Sequence, residues 1–206
     1  MGIAERKERQ KKEMRDSILQ AAWQLVNEEG WQSLSIRKIA DVIEYSVPVV
    51  YDHFENKEAI LFEFSKQGFS LLGEQLAEAR ASSPVPAVQL EAMAYAYWEF
   101  AFTYRQYYQV MFSLGMPTCE QVRRMPEILG FTETIKNTIQ EVLDEHGNKE
   151  ANSFLKLNSF WSMLHGLVSI NLVTPTLAMR EGVTQEEMNR LVLKDFITGF
   201  IAGLEK

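Results

Sequence analysis

The polar side chains between residues 35 and 57 include Ser35, Arg37, Ser46, Tyr51, His53 and Lys57, which can donate or accept hydrogen bonds. Hydroxyl, imidazole, guanidinium and ammonium groups bind phosphate oxygens and reach the edges of bases. The chain has no phosphate-binding glycine loop, nucleophile elbow or HExxH motif. These residue types therefore favour binding to a nucleic acid over catalysis.

Two short helices with a tight turn between them must position these side chains. The first repeats apolar residues at the i, i+3, i+4, i+7 spacing of one buried helical face, with Ile36, Ile39, Ala40 and Ile43. The second has Pro48 in its first turn, where a missing N–H costs nothing, and the same spacing in Val47, Val50, Tyr51 and Phe54. Ser35 and Ser46 are natural N-caps for the two helices.

Helices this short need a third helix to support them. Residues 10–29 supply one, because they carry an apolar stripe that comprises Met14, Ile18, Ala22, Leu25 and Val26. Gly30 is a typical residue at the end of such a helix. The pattern predicts a three-helix unit that contains a helix-turn-helix motif.

This motif resembles the DNA-binding domain of the TetR family of bacterial transcriptional regulators. The resemblance covers residues 14–64 and rests on the segment ILQAAWQLVNEEGWQSLSIRKIADVIEYSVPVVYDHFENKEAIL. It implies that Tyr51 and Lys57 contact the phosphate backbone and that Pro48 contacts bases or methyl groups. The family usually has glycine in the turn, where φ is often positive, and this chain has Glu44. A residue other than glycine in that conformation costs on the order of 1 kcal/mol.

The predicted DNA-contacting residues are Ser35, Arg37, Ser46, Val47, Pro48, Val49, Tyr51, His53 and Lys57. The second helix of the motif has no Arg, Lys, Asn or Gln for bidentate contacts to bases. Sequence preference should therefore depend on thymine methyl groups, on His53 or Asp52 and on Arg37. Alternatively, the two serines act only as caps, Val47 and Tyr51 only pack against the first helix, and Lys57 points into solvent.

The charge of the chain is unevenly distributed. The net charge is −7, yet residues 1–57 hold nine basic and ten acidic side chains, while the rest holds twelve and eighteen. Within residues 1–15, three acidic side chains accompany six basic ones, which are Arg6, Lys7, Arg9, Lys11, Lys12 and Arg15. This segment is interpreted as a basic arm ahead of the first helix that reaches phosphates or a minor groove. The alternative is a solvated terminus.

The remainder of the chain predicts further helices and no strands, so the expected fold is all-α with about nine helices. A long fourth helix ends near the Ser82-Ser83-Pro84 break. The expected organisation is a DNA-binding domain with the basic arm at 1–56, a linking helix at 57–82 and a ligand-binding and dimerisation domain at 83–206.

Aromatic and methionine side chains crowd the 33 residues from Met93 to Met125, Met116 among them. Such a stripe usually forms core, but its bulk together with tyrosine hydroxyls is typical of a small-molecule pocket. The stretch FWSMLHGLVSI also resembles the Trp, His, Gly signature of one type of TetR C-terminal domain, which implies an inducer site. The predicted ligand-binding residues are Tyr97, Trp98, Phe102, Tyr107, Tyr108, Met111, Phe112, Met125, Trp161 and His165. His165 has an alternative role as a structural histidine.

The last two helices are apolar on more than one side, which favours burial against a second chain. The predicted dimer contacts are Phe160, Leu164, Leu167, Val192, Phe196 and Phe200. The TetR resemblance implies a homodimer on a palindromic operator of double-stranded DNA. It also implies a repressor that a small-molecule inducer releases, and the aromatic and methionine composition predicts that this inducer is largely apolar. An activator, a helical adaptor or an α-helical small-molecule-binding protein or enzyme is the alternative.

A membrane span, a secretory signal, a disulfide framework and a metal site are not expected. No apolar run approaches the roughly 20 residues that span a bilayer, and the charged start lacks the apolar region of a secretory signal. A single cysteine, Cys119, excludes an intrachain disulfide framework and is typical of a reducing cytoplasm. His53, His146 and His165 are scattered, so neither a metal nor a cofactor is expected.

Overall fold

The structure is a computed structural model that describes residues 2–112, 125–173, 182 and 184–206. Within those residues it is helical and contains no strand, which confirms the predicted fold class. The nine α-helices there are α1 Ile3–Glu29, α2 Ile36–Val42, α3 Val47–Tyr51, α4 Lys57–Ala81, α5 Pro86–Thr103, α6 Arg105–Phe112, α7 Pro126–Glu145, α8 Ser153–Val173 and α9 Gln185–Ala202. A 3-10 turn, Trp31–Ser33, connects α1 to α2.

The first helix differs from its prediction. It begins at Ile3 instead of residue 10, so the basic segment forms the first turns of α1 and is not an arm ahead of it. Glu5 stabilises this start, because its carboxylate accepts a hydrogen bond from the Gly2 amide at 2.8 Å. Arg, Lys, Glu and Gln fill the segment and are good helix formers. The periodicity of apolar residues could not reveal this extension, because its side chains are exposed and mostly polar.

The described residues divide into two compact units. The first unit contains residues up to Gly68 together with α6, and the second contains Phe69–Tyr104 and the described residues from Met125 onward. The change between units therefore falls inside α4, after its twelfth residue. Within the described part of the chain, no helix is both long enough and apolar enough to cross a membrane.

The first unit has a core in which every helix of the predicted three-helix unit takes part. Its buried residues include Ile18, Ala22 and Val26 of α1, Ile39 and Ala40 of α2, Val50 of α3, and Ile60 and Phe64 of α4.

Helix α6 packs against α1 and α4 in the same unit. Tyr107 stacks on Trp23 with the ring centres 4.3 Å apart. The indole N–H of Trp31 donates to the Gln106 carbonyl at 2.9 Å, and the Ser65 hydroxyl donates to the Val110 carbonyl at 3.3 Å.

The second unit is built mainly from α5, α7 and α8, with α9 packed against α5 and α8. An ion pair between Arg80 at the end of α4 and Glu141 of α7, 2.6 Å apart, lies at its edge. Its core contains Leu90, Met93, Tyr97 and Phe100 of α5, Phe131, Ile135, Ile139 and Val142 of α7, Leu157, Phe160, Leu164 and Val168 of α8, and Leu193 and Ile197 of α9.

Candidate functional site

The two serines of the helix-turn-helix motif differ in what their side chains do. Ser35 caps α2, because its Oγ accepts a hydrogen bond from the Lys38 amide at 3.2 Å. Ser46 occupies the N-cap position of α3, but its side chain makes no capping hydrogen bond, contrary to expectation, and it is exposed. The Ser46 hydroxyl is therefore available at the surface where α3 begins.

The turn between α2 and α3 has the conformation expected at Glu44. Its φ is 59°, and among the described residues other than glycine it alone has a positive φ. The neighbouring Tyr45 amide donates to the Ala40 carbonyl at 3.0 Å, which closes the turn. Glutamate thus holds a backbone conformation that favours glycine.

The predicted DNA-contacting residues of α2 and α3 divide into exposed and half-buried side chains. Arg37, Ser46, Pro48 and Tyr51 are exposed, and Tyr51 has 51% of its surface accessible. The other predicted residues at these two helices are half-buried, namely Ser35, Val47 and Val49. The exposed set combines a guanidinium, two hydroxyls and an apolar ring, which can bind phosphates and thymine methyl groups.

His53 and Lys57 are less available than the sequence predicted. The His53 ring is half-buried, and its Nδ1 is buried without a hydrogen-bond partner in the described part of the chain. The Lys57 ammonium, at the first residue of α4, donates to the Trp31 carbonyl at 3.3 Å. Lys57 therefore also connects the start of α4 to the 3-10 turn that follows α1.

Arg15 has a position that the sequence did not predict. It belongs to the basic segment by sequence, but its guanidinium binds the His53 carbonyl at 3.2 Å and the Glu63 carboxylate at 2.8 Å. Its partners lie 38 and 48 residues away. No local pattern could have indicated these contacts.

Nine of the ten predicted ligand-binding residues lie in three different places. Tyr97, Trp161 and His165 meet inside the second unit, where the Tyr97 hydroxyl lies 3.2 Å from His165 Nδ1. Phe131 stacks on Trp161 with the ring centres 4.9 Å apart, and Phe69 stacks on Phe131 at 5.9 Å. Phe69 and Phe131 were not among the predicted residues, because their ring contacts join helices that are distant in sequence and no local pattern indicates them.

The environment of His165 supports both of its predicted roles. Its Nε2 lies 3.5 Å from the Ser169 hydroxyl, so the ring bridges α5 to the next turn of α8. Burial lowers the pKa of His165, which favours the neutral ring. A neutral imidazole with one nitrogen at a tyrosine hydroxyl is a polar group within aromatic walls.

Trp98 and Phe102 face a second location, an open cleft of about 1090 Å³ between α5 and α9. Arg190 and Glu186 form an ion pair of 2.9 Å on its rim. The third location is α6 in the first unit, which carries Tyr107, Tyr108, Met111 and Phe112. Met125 is buried at the start of α7, and Met116 and Cys119 lie outside the described residues.

The predicted dimer contacts also separate by exposure. Phe160 and Leu164 are 1% and 2% exposed and pack inside their own unit, whereas Val192 is 43% exposed. Leu167, Phe196 and Phe200 are half-buried. The large apolar side chains exposed on α8 and α9 are Phe154, Leu155, Met163, Ile170, Leu191 and Val192.

In the part of the chain that the structure covers, no three His, Cys, Asp or Glu side chains lie close enough together to hold a metal ion.

Two protein families match the chain. The family described as bacterial regulatory proteins, tetR family, matches residues 18–70, and the tetracyclin repressor-like C-terminal domain matches residues 90–194. An uncharacterized HTH-type transcriptional regulator of Mycobacterium tuberculosis is 24% identical over 196 residues, which are 93% of this chain and 82% of the relative.

Solved structures have the same fold. A protein of unknown function from Rhodococcus sp. RHA1 has a TM-score of 0.73 at 20% identity, over 93% of this chain and 95% of that one. AibR, solved in complex with isovaleryl coenzyme A and operator DNA, has a TM-score of 0.63 at 16% identity, over 88% and 96%. The second family match alone spans more than half of the chain. This chain therefore belongs to the TetR family of transcriptional regulators, and its helix-turn-helix motif binds DNA.

Proposed function

We propose that the protein is a homodimeric repressor that leaves a palindromic operator when a largely apolar small molecule binds its second unit. The observation that carries the proposal is the division of the helix-turn-helix motif into two sides. Ile39, Ala40 and Val50 complete the buried side, while Arg37, Pro48 and Tyr51 remain exposed on the other.

The exposed side of α3 indicates how the operator is read. Pro48 and the half-buried Val49 offer apolar contact to thymine methyl groups, and Ser46 and Tyr51 offer hydroxyls to phosphates. Arg37 is the residue that can make a bidentate base contact from α2. Affinity for the operator then depends on phosphate contacts and on the pairing of two subunits.

The exposed apolar side chains of α8 and α9 support the homodimer. Met163 and Ile170 are each 55% exposed on α8, and Leu191 is 57% exposed on α9. Exposed apolar surface of this extent on neighbouring helices is typical of an interface between subunits. A two-fold dimer places its two recognition helices about one DNA turn apart, so the operator should be an inverted repeat.

The aromatic site around Tyr97, Trp161 and His165 is the proposed inducer site. The rings of Phe131 and Trp161 supply apolar contact, and the Tyr97–His165 pair supplies one polar anchor. Helix α4 contributes residues to both units, so it is the element that an inducer would displace. An inducer can release DNA only by binding the released conformation more tightly than the DNA-bound one.

A release assay tests this proposal. A duplex enriched by the protein is labelled, and a library of apolar compounds that carry one hydrogen-bonding group is screened for release. We expect a compound that releases the wild-type protein to require a higher concentration with His165→Phe and the same concentration with Trp98→Ala. The opposite pattern would place the inducer in the cleft between α5 and α9, and a library without any active compound would contradict an apolar inducer.

A further inference from the structure

One arginine joins the end of the recognition helix to two other helices. Arg15 of α1 donates from Nη1 to the His53 carbonyl at 3.2 Å and from Nη2 to Glu63 Oε2 of α4 at 2.8 Å. The same guanidinium lies 4.2 Å from the centre of the Phe54 ring. His53 and Phe54 directly follow α3 and its C-cap Asp52.

Helix α3 depends on such contacts for its orientation. It has five residues, and Val50 is its one fully buried side chain. A helix this short is not stable by itself, so the contacts at its two ends determine its angle. The planar guanidinium of arginine fixes the directions of two hydrogen bonds at once.

We expect the Arg15–Glu63 ion pair to contribute little to folding stability. The Arg15 and Glu63 side chains are 39% and 27% exposed, and partly exposed ion pairs stabilise proteins little. Both terminal nitrogens of the Arg15 guanidinium donate hydrogen bonds to protein groups within the first unit. The basic residues before it in the segment are exposed.

We propose that Arg15 and Glu63 are positioning residues that hold α3 at the angle needed to read base edges, and that neither contacts DNA. The proposal rests on the reading of DNA by α3. Within the basic segment of α1, Arg15 then sets sequence preference, and the exposed basic residues before it add positive charge.

The ratio of specific to non-specific affinity measures this role. The specific probe is the duplex that wild-type protein enriches from a random-sequence pool, and the non-specific probe is a random duplex of equal length. A misplaced recognition helix loses base contacts, and one unfavourable base pair costs about 1–3 kcal/mol. We expect Arg15→Gln to lower the affinity ratio about tenfold.

Arg9→Gln is the matched control, because Arg9 lies on the same helix and pairs with the exposed Glu13 at 3.6 Å. It removes the same charge without touching the region after α3. We expect it to weaken binding to both probes equally and to leave the ratio unchanged. An equal effect of Arg15→Gln on both probes would overturn the proposal.

Glu63→Gln separates orientation from charge. Removing a negative charge should tighten binding to both duplexes if charge alone mattered. If Arg15 and Glu63 position α3, the ratio of specific to non-specific affinity falls instead. Arg15→Lys keeps the charge but lacks the planar guanidinium, so it should lower the ratio as well. If Arg15→Gln does not fold, Glu63→Gln tests the proposal by itself, and an unchanged ratio in this variant overturns the positioning role. A wild-type protein that enriches no duplex would overturn the proposed function and the positioning role together.

Discussion

At the scale of single residues, Glu44 shows how the motif tolerates a departure from its family's pattern. The turn keeps the positive φ that usually requires glycine, and the side chain is exposed. The Ser35 cap and the buried Val50 are as expected, whereas the Ser46 side chain makes no capping hydrogen bond. The protein therefore carries local backbone strain in a motif whose geometry is otherwise retained.

Replacing Glu44 by glycine should relieve this strain. We expect Glu44→Gly to raise the free energy of unfolding by about 0.5–1 kcal/mol, because the left-handed region disfavours side chains. Urea unfolding followed by tryptophan fluorescence measures the change. Glu74→Gly, at an exposed position inside α4, is the control and should lower the free energy by about 1 kcal/mol. A loss of stability in both variants would show that Glu44 is unstrained.

At the scale of elements, α6 is packed closely against α4. A Cβ built on Gly68 would lie 2.5 Å from Met111 Sδ and 2.9 Å from Met111 Cγ. Met111 is 4% exposed, so it has little room to move. Gly68 is thus required by the approach of α6 and not by the backbone of α4.

Gly68→Ala should push α6 from α4 and lower the free energy of unfolding by about 1–3 kcal/mol through overpacking. Gly73→Ala is the control on the same helix, where the nearest atom to a new Cβ is 3.8 Å away. It should stabilise the protein by up to about 1 kcal/mol. Thermal unfolding of both variants measures these effects, and equal changes would contradict the close packing.

The helical extension of α1 provides a second test at this scale. Lys7 and Lys11 lie one helical turn apart on one face and are exposed. If both bind phosphates, Lys7→Gln with Lys11→Gln should reduce the slope of log affinity against log salt by about 0.9 for each phosphate that a lysine no longer neutralises. The doubly substituted control is Lys149→Gln with Lys206→Gln, in the second unit. An unchanged slope would identify the extension as a solvated terminus.

The sequence predicted helices better than contacts. Ser35, Pro48 and Gly30 are local signals, so the starts of α2 and α3 and the end of α1 followed from them. The inward position of Arg15 and the docking of α6 beside Trp23 and Trp31 depend on partners distant in sequence. The ligand-binding residues were grouped by composition, which does not specify the unit to which each helix belongs.

At the scale of the whole molecule, the proposed function requires a dimer for operator recognition. Met163 is exposed on α8, so Met163→Glu should place a charge in the proposed interface and yield monomers. Light scattering after size-exclusion chromatography measures the mass, and operator affinity should fall with it. Val88→Glu, at a 46% exposed position on α5, should remain dimeric. A dimeric Met163→Glu protein would show that the interface lies elsewhere.

The most direct test is to sequence the genomic fragments that the purified protein retains, beside Tyr51→Ala. The proposed function predicts that wild-type fragments share an inverted repeat with half-sites about 10 base pairs apart, centre to centre. Tyr51→Ala should retain them weakly while remaining a dimer, because each subunit then lacks the exposed hydroxyl that we propose donates a hydrogen bond to DNA. Fragments without a shared repeat, or equal retention by the variant, would contradict the reading of a palindromic operator by α3.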